Sequence, residues 1–380
     1  MVVNFGVTVL ARGLSGTGID GIGHYSNELF KALQNIPSVD LATYSFGFPI
    51  NQHILGIPTH QLSRFTLELA RSTVFPWRGL KSNIRCSQVD LIHATDHLIP
   101  FVKGVPLIAT LMDAIPLSHP EWVNNNAFRR VKIELWRQMA KRADRILTIS
   151  QYSKNEIVNY FEIDPSRISV VPLGVDQHFF NHIKKGDREK ILGKYGIENE
   201  YFLTVGTLQP RKNIERILEA MRILPEYIRK SHQLVIVGSQ GWGSESLIYA
   251  IKKAEQEGWC KWLSYVPDRD LRSLLQSATL LVFPSLYEGF GLPVLEAFAS
   301  NTPVVASNTT SIPEVAKDAA ILIDPLDPSN IASALSRVVE NKELAEILVK
   351  KGLARANEMT WQRCAEDTFT EYKKVVEEYV

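Results

Sequence analysis

Two glutamates separated by seven residues, Glu288 and Glu296, flank a glycine-rich turn. The apolar run 279–283 before the turn predicts a buried strand, and Pro293 with the apolar residues after it predicts a helix. A helix start presents free N–H groups and a partial positive charge, which favour a phosphate. Carboxylates beside a phosphate site suit a ligand that also carries hydroxyls. A nucleotide sugar has both groups, a diphosphate for the amides and sugar hydroxyls for the carboxylates.

A pair of cations, Arg211 and Lys212, follows the predicted strand 201–205 and precedes a predicted helix at 214–224. Two positive charges are unfavourable near the positive end of a helix unless an anion binds there. A guanidinium fork beside an ammonium suits a departing diphosphate, on which negative charge grows as the bond to the donor breaks. The alternative is an exposed helix start that carries incidental charge.

The rest of the chain predicts elements that would hold these side chains in place. Strand-like and helix-like segments alternate along all 380 residues, which predicts parallel sheets covered by helices on both faces. The length exceeds what one hydrophobic core usually serves, so two doubly wound domains are expected. We place them at 1–175 and 176–360, with a linker or surface turn at about 177–196. The amphipathic helix 361–380 is expected to pack back on the first domain.

The charge balance and the cysteines narrow the class of protein. The formal net charge is only +1, which excludes a strongly polybasic or acidic chain, and no nucleic-acid partner is expected. Cys86, Cys260 and Cys364 are far apart and lack metal-ligand spacing, so a reducing compartment is predicted. The first ten residues lack the basic leader of a signal peptide, and no apolar stretch is long enough for a membrane span. The expected location is cytoplasmic.

Several segments together resemble the retaining glycosyltransferases of family 4, a large bacterial family with the two-domain GT-B fold. The resemblance covers nearly the whole chain in the family's order, and the segments that carry it are 285–296 with its Glu-x7-Glu spacing, 206–213, 171–176, 302–307 and the glycine-rich 21–28. It implies an α/β GT-B fold in which two Rossmann-like domains face a central cleft. The first domain would bind the acceptor, and the second would bind the nucleotide sugar.

The resemblance also assigns roles in the second domain. Glu288 would bind hydroxyls of the donor sugar, and Glu296 would bind the ribose hydroxyls. Arg211 and Lys212 would stabilise the negative charge of the leaving diphosphate. The remaining donor contacts come from the backbone, with Val266 facing the base and the diphosphate held by the amides of Phe290, Gly291 and Leu292.

In the first domain, Gly21 and Gly23 would let the backbone approach the donor phosphates across the cleft. Asp113 ends a strand, where polar residues of open α/β sheets face the crevice, and it is a candidate for binding donor or acceptor hydroxyls. The family usually has His-Asp here, whereas this chain has Met112 before Asp113. Any donor contact made by the imidazole is therefore in doubt. Ser150 is either a cleft residue or a helix cap.

Two motifs suggest other chemistry. Residues 16–21 satisfy the dinucleotide pattern G-x-G-x-x-G, but the predicted strand ends near Leu10 and the predicted helix starts only after Gly23, so the nicotinamide-cofactor interpretation is rejected. Asp268 and Asp270 could hold a divalent metal as an Asp-x-Asp pair. Because a helix is predicted to follow, Asp268 is interpreted as its N-cap, and neither a metal nor another cofactor is expected.

The first domain has a basic zone, since residues 60–145 contain 13 Lys and Arg against 7 Asp and Glu. The segments 64–71 and 74–81 mix aromatic with basic residues, and 128–142 predicts a basic helix with an apolar stripe. Such a surface could bind anionic lipid, which would place the protein on the inner face of the membrane. The alternative is a core helix with a soluble basic face.

The resulting prediction is a metal-independent retaining glycosyltransferase that moves a hexose from a nucleotide sugar to a glycan or lipid-linked glycan in surface polysaccharide synthesis. GDP-mannose is preferred because residues 113–117 resemble those of mannosyltransferases, and UDP-sugars are the near alternative. Same-face attack is expected, with the departing phosphate taking the acceptor proton. The rival classes are a phosphorylase or hydrolase acting on free sugars, and a sugar-nucleotide-binding protein without turnover.

Overall fold

The chain forms two compact units in the computed structural model, which describes residues 1–14, 19–46, 53–54, 57–62, 89–100, 104–122 and 127–379. The first unit comprises Met1–Pro120, Asn125–Gly174 and Trp361–Val380, and the second comprises Glu121–Asn124 and Val175–Thr360. The second unit thus begins at Val175, one residue before the boundary placed from the sequence. The helix at the end of the sequence belongs to the first unit.

The first unit contains an eight-stranded sheet in the order β3-β4-β2-β1-β5-β6-β7-β8. All neighbouring strands are parallel except β3 and β4. Helices cover both faces of a parallel sheet, and the strands of such a sheet are apolar runs. The strands are β1 (Val2–Gly6), β2 (Asp40–Phe46), β3 (His53–Ile54), β4 (Ile57–Leu62), β5 (Leu91–Ala94), β6 (Leu107–Thr110), β7 (Arg145–Thr148) and β8 (Ile168–Val170).

The first strand is shorter than the predicted 2–10. The backbone N–H of Val7 donates a hydrogen bond to the carbonyl of Tyr44 in β2. The hydroxyl of Thr8 accepts a hydrogen bond from the backbone N–H of Phe46. The first helix begins at Thr8, whose hydroxyl thus pairs with the last residue of β2. The helices of the first unit are Thr8–Arg12, Gly21–Leu33, Ile115–Ser118, Ala127–Ala140, Gln151–Phe161 and Trp361–Tyr379, with a 3₁₀ turn at Pro165–Arg167.

The second unit contains a six-stranded, fully parallel sheet in the order β11-β10-β9-β12-β13-β14. Its strands are β9 (Glu200–Val205), β10 (His232–Val237), β11 (Cys260–Leu263), β12 (Leu280–Phe283), β13 (Val304–Ser307) and β14 (Ile321–Ile323). Strands β9 to β11 run outward in one direction, and β12 then lies on the opposite side of β9. The strand order therefore reverses between β9 and β12, and open α/β sheets bind ligands at such a reversal.

Helices on both faces of this sheet enclose its core. Phe202 of β9 packs with Ile217 and Leu335 in one buried apolar cluster. The helices are Lys185–Lys194, Ile214–Ile223, Glu226–Ser231, Glu245–Gln256, Asp268–Ser277, Leu292–Ala299, Ile312–Ala316, Pro328–Glu340 and Lys342–Glu358, with 3₁₀ turns at Gln177–Phe180 and Pro210–Lys212. The helix Lys185–Lys194 lies where the sequence predicted a linker or surface turn.

The helix Trp361–Tyr379 packs against Gly21–Leu33 in the first unit. Its Tyr372 hydroxyl lies 2.6 Å from Nδ1 of His93, whose Nε2 is 2.7 Å from the Thr110 hydroxyl, and all three side chains are buried. Burial lowers the pKa of His93 to about 3, so this ring is neutral and structural at physiological pH. Among the described residues, none of the helices combines the length and hydropathy that crossing a bilayer requires.

Candidate active site

The side chains with the strongest sequence signal meet at the point where the strand order reverses. Arg211 and Lys212 lie in the 3₁₀ turn that follows β9, and Glu288 lies in the loop that follows β12. Because β9 and β12 are adjacent and parallel, their carboxyl ends open at the same edge of the sheet. The backbone N–H of Leu286 donates to the carbonyl of Arg211 at 2.8 Å and joins the two loops directly.

The three charged groups form one cluster. The Lys212 ammonium lies 2.6 Å from Oε1 of Glu288, and Nη1 of Arg211 lies 3.1 Å from Oε2 of the same carboxylate. Arg211 also donates to the carbonyl of Tyr287 at 3.2 Å and to the side chain of Gln209 at 3.1 Å. Glu288 and Lys212 are each only about a tenth exposed, at 10% and 11% of their side-chain area. The cluster is therefore held rigidly and is largely shielded from solvent.

Two cations share one carboxylate here, and burial and the neighbouring charges act in opposite directions on the pKa values of Glu288 and Lys212. Burial by itself raises the pKa of the Glu288 carboxyl, but the charges of Lys212 and Arg211 outweigh it and hold that pKa below its ordinary value. Burial lowers the pKa of the Lys212 ammonium, and the attraction of Glu288 offsets only part of that change. Among these three groups there is one more positive than negative charge, so the two cations can attract an anion.

Backbone amides next to this cluster point to the same kind of ligand. Among the described residues, none accepts a hydrogen bond from the backbone N–H of Phe290, Gly291 or Leu292. The helix Leu292–Ala299 begins directly after them, with Pro293 in its first turn as the sequence predicted. Three free donors at a helix N-terminus, close to two cations, form a suitable site for a phosphate group.

Gly291 is required by the shape of this turn. Its φ of +109° lies in the left-handed region, which side chains rarely adopt. A Cβ atom at this position would lie 2.5 Å from Cδ1 of Ile312. Both constraints allow only glycine, so the backbone conformation of the turn explains why a glycine stands at position 291.

The second glutamate of the pair, Glu296, is half-buried in the helix Leu292–Ala299. Its negative charge acts to raise the pKa of Lys212, which burial lowers overall, and so offsets part of the positive charge of the cluster. Val266 is buried just after β11, two strands away from β9 in the same sheet. The structure thus places Glu296 with the charged cluster, and it places Val266 farther along the same carboxyl edge.

The prediction that a helix starts only after Gly23 is wrong. The helix begins at Gly21, before Gly23, and is capped by Asp20, whose carboxylate accepts the N–H of Gly23 at 2.8 Å. That bond already uses the Gly23 amide, and a Cβ there would lie 3.0 Å from Cγ2 of Ile19. A Cβ at Gly21 would meet nothing within 4 Å. The ligand roles of both glycines stay predictions.

The other first-unit candidates also have local structural partners. The carboxylate of Asp113 accepts the backbone N–H of Ile115 at 3.0 Å and so supports the short helix Ile115–Ser118. Asp113 is half-buried, which leaves its sugar-binding role a prediction. The hydroxyl of Ser150 accepts the N–H of Ser153 and caps the helix Gln151–Phe161, as one of its two interpretations required.

The N-cap prediction for Asp268 is wrong, because Pro267 holds that position and Asp268 is the first helical residue. The second aspartate of the pair has a structural partner instead. Asp270 is buried and accepts hydrogen bonds from the Lys194 ammonium at 2.6 Å and the Tyr195 hydroxyl at 2.9 Å. Burial raises the pKa of Asp270, but these two donors more than reverse the change and leave it lowered. Asp270 thus joins the helix Asp268–Ser277 to the end of Lys185–Lys194.

Asn213 is a site residue that sequence reasoning missed. It adopts a left-handed φ of +58°, and its buried side-chain amide donates to the carbonyls of Pro284 and Pro325 at 3.0 and 2.6 Å. It thereby fixes the 3₁₀ turn carrying Arg211 and Lys212 relative to the loop that carries Glu288. The sequence signal that could have identified it is an asparagine between a basic pair and an apolar helix. Asparagine tolerates the left-handed conformation, so it indicates a turn at this position.

The segments predicted to bind lipid are only partly described. Residues 64–71 and 74–81 lie outside the described residues, as does Cys86. In the helix Ala127–Ala140, Trp136 and Met139 pack against the core of the first unit. Glu162 pairs with Arg137 at 3.2 Å and with Lys141 at 2.8 Å. Part of the apolar stripe and part of the basic face therefore have partners within the unit.

Comparisons with known proteins cover nearly the whole chain. Residues 187–355 match the family model described as Glycosyl transferases group 1, and residues 19–179 match the one described as Glycosyltransferase Family 4. O-antigen chain mannosyltransferase B of Escherichia coli is 35% identical over 269 residues, which are 70% of either chain. The O-antigen chain mannosyltransferase RfbU of Salmonella typhimurium is 28% identical over 348 residues, 89% of this chain and 90% of that one.

The fold is also similar to solved structures. Sucrose-phosphate synthase from Thermosynechococcus elongatus superposes with a TM-score of 0.75 at 17% identity, over the full length of both chains. At this level of identity the likeness concerns the fold alone.

Proposed function

The chain belongs to the glycosyltransferases of group 1 and family 4, and we propose that it transfers mannose from GDP-mannose to a hydroxyl of a glycan or lipid-linked oligosaccharide in surface polysaccharide synthesis. Its two doubly wound units have the GT-B architecture. The observation that carries the proposal is the positively charged Arg211–Lys212–Glu288 cluster beside the free amides of 290–292. The O-antigen mannosyltransferases among its relatives support the choice of sugar and pathway.

The diphosphate of the donor would bind to the amides of Phe290, Gly291 and Leu292, with its charge balanced by Arg211 and Lys212. Negative charge on the diphosphate increases as the bond to the sugar breaks. Donors already fixed toward that position stabilise the transition state without reorganising. The bonds that Arg211 makes to Tyr287 and Gln209 supply this fixed geometry, because they hold the guanidinium before the donor arrives.

Glu288 would bind hydroxyls of the donor sugar. Each of its oxygens already accepts one bond from a cation, but a carboxylate has about four acceptor positions, so both oxygens can accept a sugar hydroxyl as well. Glu296 would accept hydrogen bonds from the ribose hydroxyls. Because the lowered pKa of Glu288 keeps its carboxylate ionised at neutral pH, it acts as an acceptor and an electrostatic partner rather than as an acid.

The reaction would retain the configuration of the sugar. The acceptor hydroxyl would attack from the face that the diphosphate leaves, and its proton would pass to the departing phosphate oxygen. In this scheme Arg211 and Lys212 provide the two positive charges that the leaving group needs, and transfer requires no metal ion. Chelation with EDTA should therefore leave the rate unchanged.

The acceptor would be a glycan, and a lipid-linked glycan would make attachment to an anionic membrane useful. We include peripheral attachment in the proposal on the basic character of residues 60–145. Sedimentation with phosphatidylglycerol vesicles should occur at low salt and be lost at high salt. Failure to sediment at low salt would remove this part of the proposal without touching the transferase activity.

A thermal-shift panel of GDP-mannose, GDP, UDP-glucose and UDP tests the donor. The two guanine nucleotides should stabilise the protein, by about 2.7 kcal/mol at a hundredfold excess over Kd. The Arg211→Ala variant should show a smaller stabilisation at the same nucleotide concentration. Stabilisation by uridine nucleotides alone would reject GDP-mannose. Transfer of labelled mannose to a lipid-extractable acceptor, followed by assignment of the new anomeric centre, would then test the reaction and its retention.

A further inference from the structure

One buried hydroxyl holds the loop that precedes the helix Leu292–Ala299. Ser311 stands just before the helix Ile312–Ala316, four residues after β13, and is fully buried. Its Oγ donates to the carbonyl of Glu288 at 2.8 Å and shares the same proton with the carbonyl of Phe290 at 3.0 Å. It makes no capping bond to its own helix. The hydroxyl is thus used entirely on the neighbouring loop.

The neighbouring residue holds the same loop from its N–H side. The Thr310 hydroxyl lies 3.3 Å from the backbone N–H of Glu288 and can accept its hydrogen bond. Thr310 reaches this position through a left-handed φ of +58°, which costs backbone energy in a residue with a side chain. Two consecutive hydroxyls therefore fix the direction of the peptide groups at 288 and 290.

In a trans peptide the C=O and N–H groups point in opposite directions. Anchoring the Phe290 carbonyl on Ser311 consequently aims the N–H of Gly291 away from Ser311. The same contact removes a carbonyl dipole from the space in front of the amides, where it would repel an anion. We propose that Ser311 is a positioning residue for the donor diphosphate, which acts by presenting the loop amides. This inference rests on the proposed function, because that function supplies the diphosphate.

The experiment measures the affinities for GDP and GMP by calorimetry and takes their ratio, because only GDP carries the second phosphate. In Ser311→Ala the GDP-to-GMP affinity ratio should fall about tenfold, the effect of losing roughly one well-placed charged hydrogen bond. Thr302→Val is the matched control. Thr302 is a buried hydroxyl of the same unit that donates to the Leu275 carbonyl at 2.7 Å, before β13, and its loss should leave the ratio unchanged.

The ratio separates positioning from simple support of the fold. Equal losses of GDP and GMP affinity, or an unchanged ratio, would overturn the inference. If Ser311→Ala does not fold, Ser311→Cys replaces it, since it retains the shape and only a weak donor, and the same fall in the ratio is expected. If the wild-type protein prefers UDP, the measurement is made with UDP and UMP. A fall in the UDP-to-UMP affinity ratio would then support the inference about Ser311, and an unchanged ratio would overturn it. A wild-type protein that binds neither diphosphate would instead remove the proposed function.

Discussion

The ammonium of Lys212 contacts the carboxylate of Glu288 at 2.6 Å, although 76 residues separate the two along the chain. Both side chains are largely buried, and Arg211 adds a second positive charge. Removing one partner of a buried pair leaves a desolvated charge without compensation. The pair is thus costly to disturb, and the additional positive charge of Arg211 is the one that an anion would balance.

Arg211→Ala should reduce kcat by about 10²–10³, because it removes a donor fixed toward the leaving diphosphate. The control is Arg216→Ala. Arg216 is a more exposed arginine of the following helix, paired with Glu219, and its loss should leave kcat near the wild-type value. Steady-state kinetics with saturating donor make the comparison. Equal rates for the two variants would show that Arg211 has no part in the chemical step.

Glu288→Gln should lose activity and also change the acid stability of the protein. The Glu288 pKa is lowered in the folded state, so its stabilising contribution is present above the ordinary value of 4.5 and is lost as pH falls through the folded value. The variant should be less stable than wild type at neutral pH by about 3 kcal/mol, since Lys212 stays buried without its partner. Urea unfolding at neutral and acidic pH should show the difference shrinking on acidification. A difference that is constant with pH would contradict the ionised pair.

Gly291→Ala should destabilise the second unit by about 1–3 kcal/mol and weaken donor binding, because the left-handed backbone and the contact with Ile312 both oppose a side chain. Gly193→Ala provides the opposite case. Gly193 lies in the helix Lys185–Lys194, where an added Cβ meets nothing within 4 Å, so alanine should stabilise by roughly 0.5–1 kcal/mol. Denaturant unfolding distinguishes the two signs, and destabilisation by both substitutions would refute the argument.

Asp270→Asn should destabilise the protein by about 1–3 kcal/mol, because the Lys194 ammonium and the Tyr195 hydroxyl lose a buried charged acceptor. Asp268→Asn should have little effect, since Asp268 is exposed at the first helical position. Transferase activity per folded molecule should be unchanged in both. A loss of activity without a loss of stability in either variant would revive the metal-site interpretation of the pair.

Tyr372→Phe should lower the free energy of unfolding by about 1–3 kcal/mol, because it leaves the buried Nδ1 of His93 without its hydrogen-bond partner. The imidazole itself makes stability depend on pH. Its folded pKa of about 3 lies below the ordinary 6.5, so the unfolded chain alone takes up a proton between these values. Stability should fall with decreasing pH there by up to about 1.4 kcal/mol per unit. His93→Gln should show a shallower slope in urea titrations from neutral to about pH 5, whereas an equal slope would exclude His93 as the source.

The local features of the site were predictable from the sequence, and the contacts between its loops were not. The apolar run before Glu288, the glycines and Pro293 define a strand, a turn and a helix within twenty residues, and the structure has all three. The bond between Lys212 and Glu288 depends on β9 lying beside β12, which is set by the packing of the whole sheet.

The helix Lys185–Lys194 was missed for a related reason. It contains two glycines and several lysines and buries none of its side chains, so its sequence has no periodic apolar face to distinguish it from a surface turn. The cap predicted at Asp268 failed because the chain places Pro267 there. The partners of Asp270 were beyond local reasoning, since Lys194 is 76 residues away.

The helix Trp361–Tyr379 is separated along the chain from the rest of the first unit, because residues Val175–Thr360 of the second unit come between them. Side chains of this helix cover the buried face of Gly21–Leu33 and the ring of His93. A fragment that stops at Gly174 would expose the same surfaces, so the first unit cannot be obtained in its native form by a single cut between the two units.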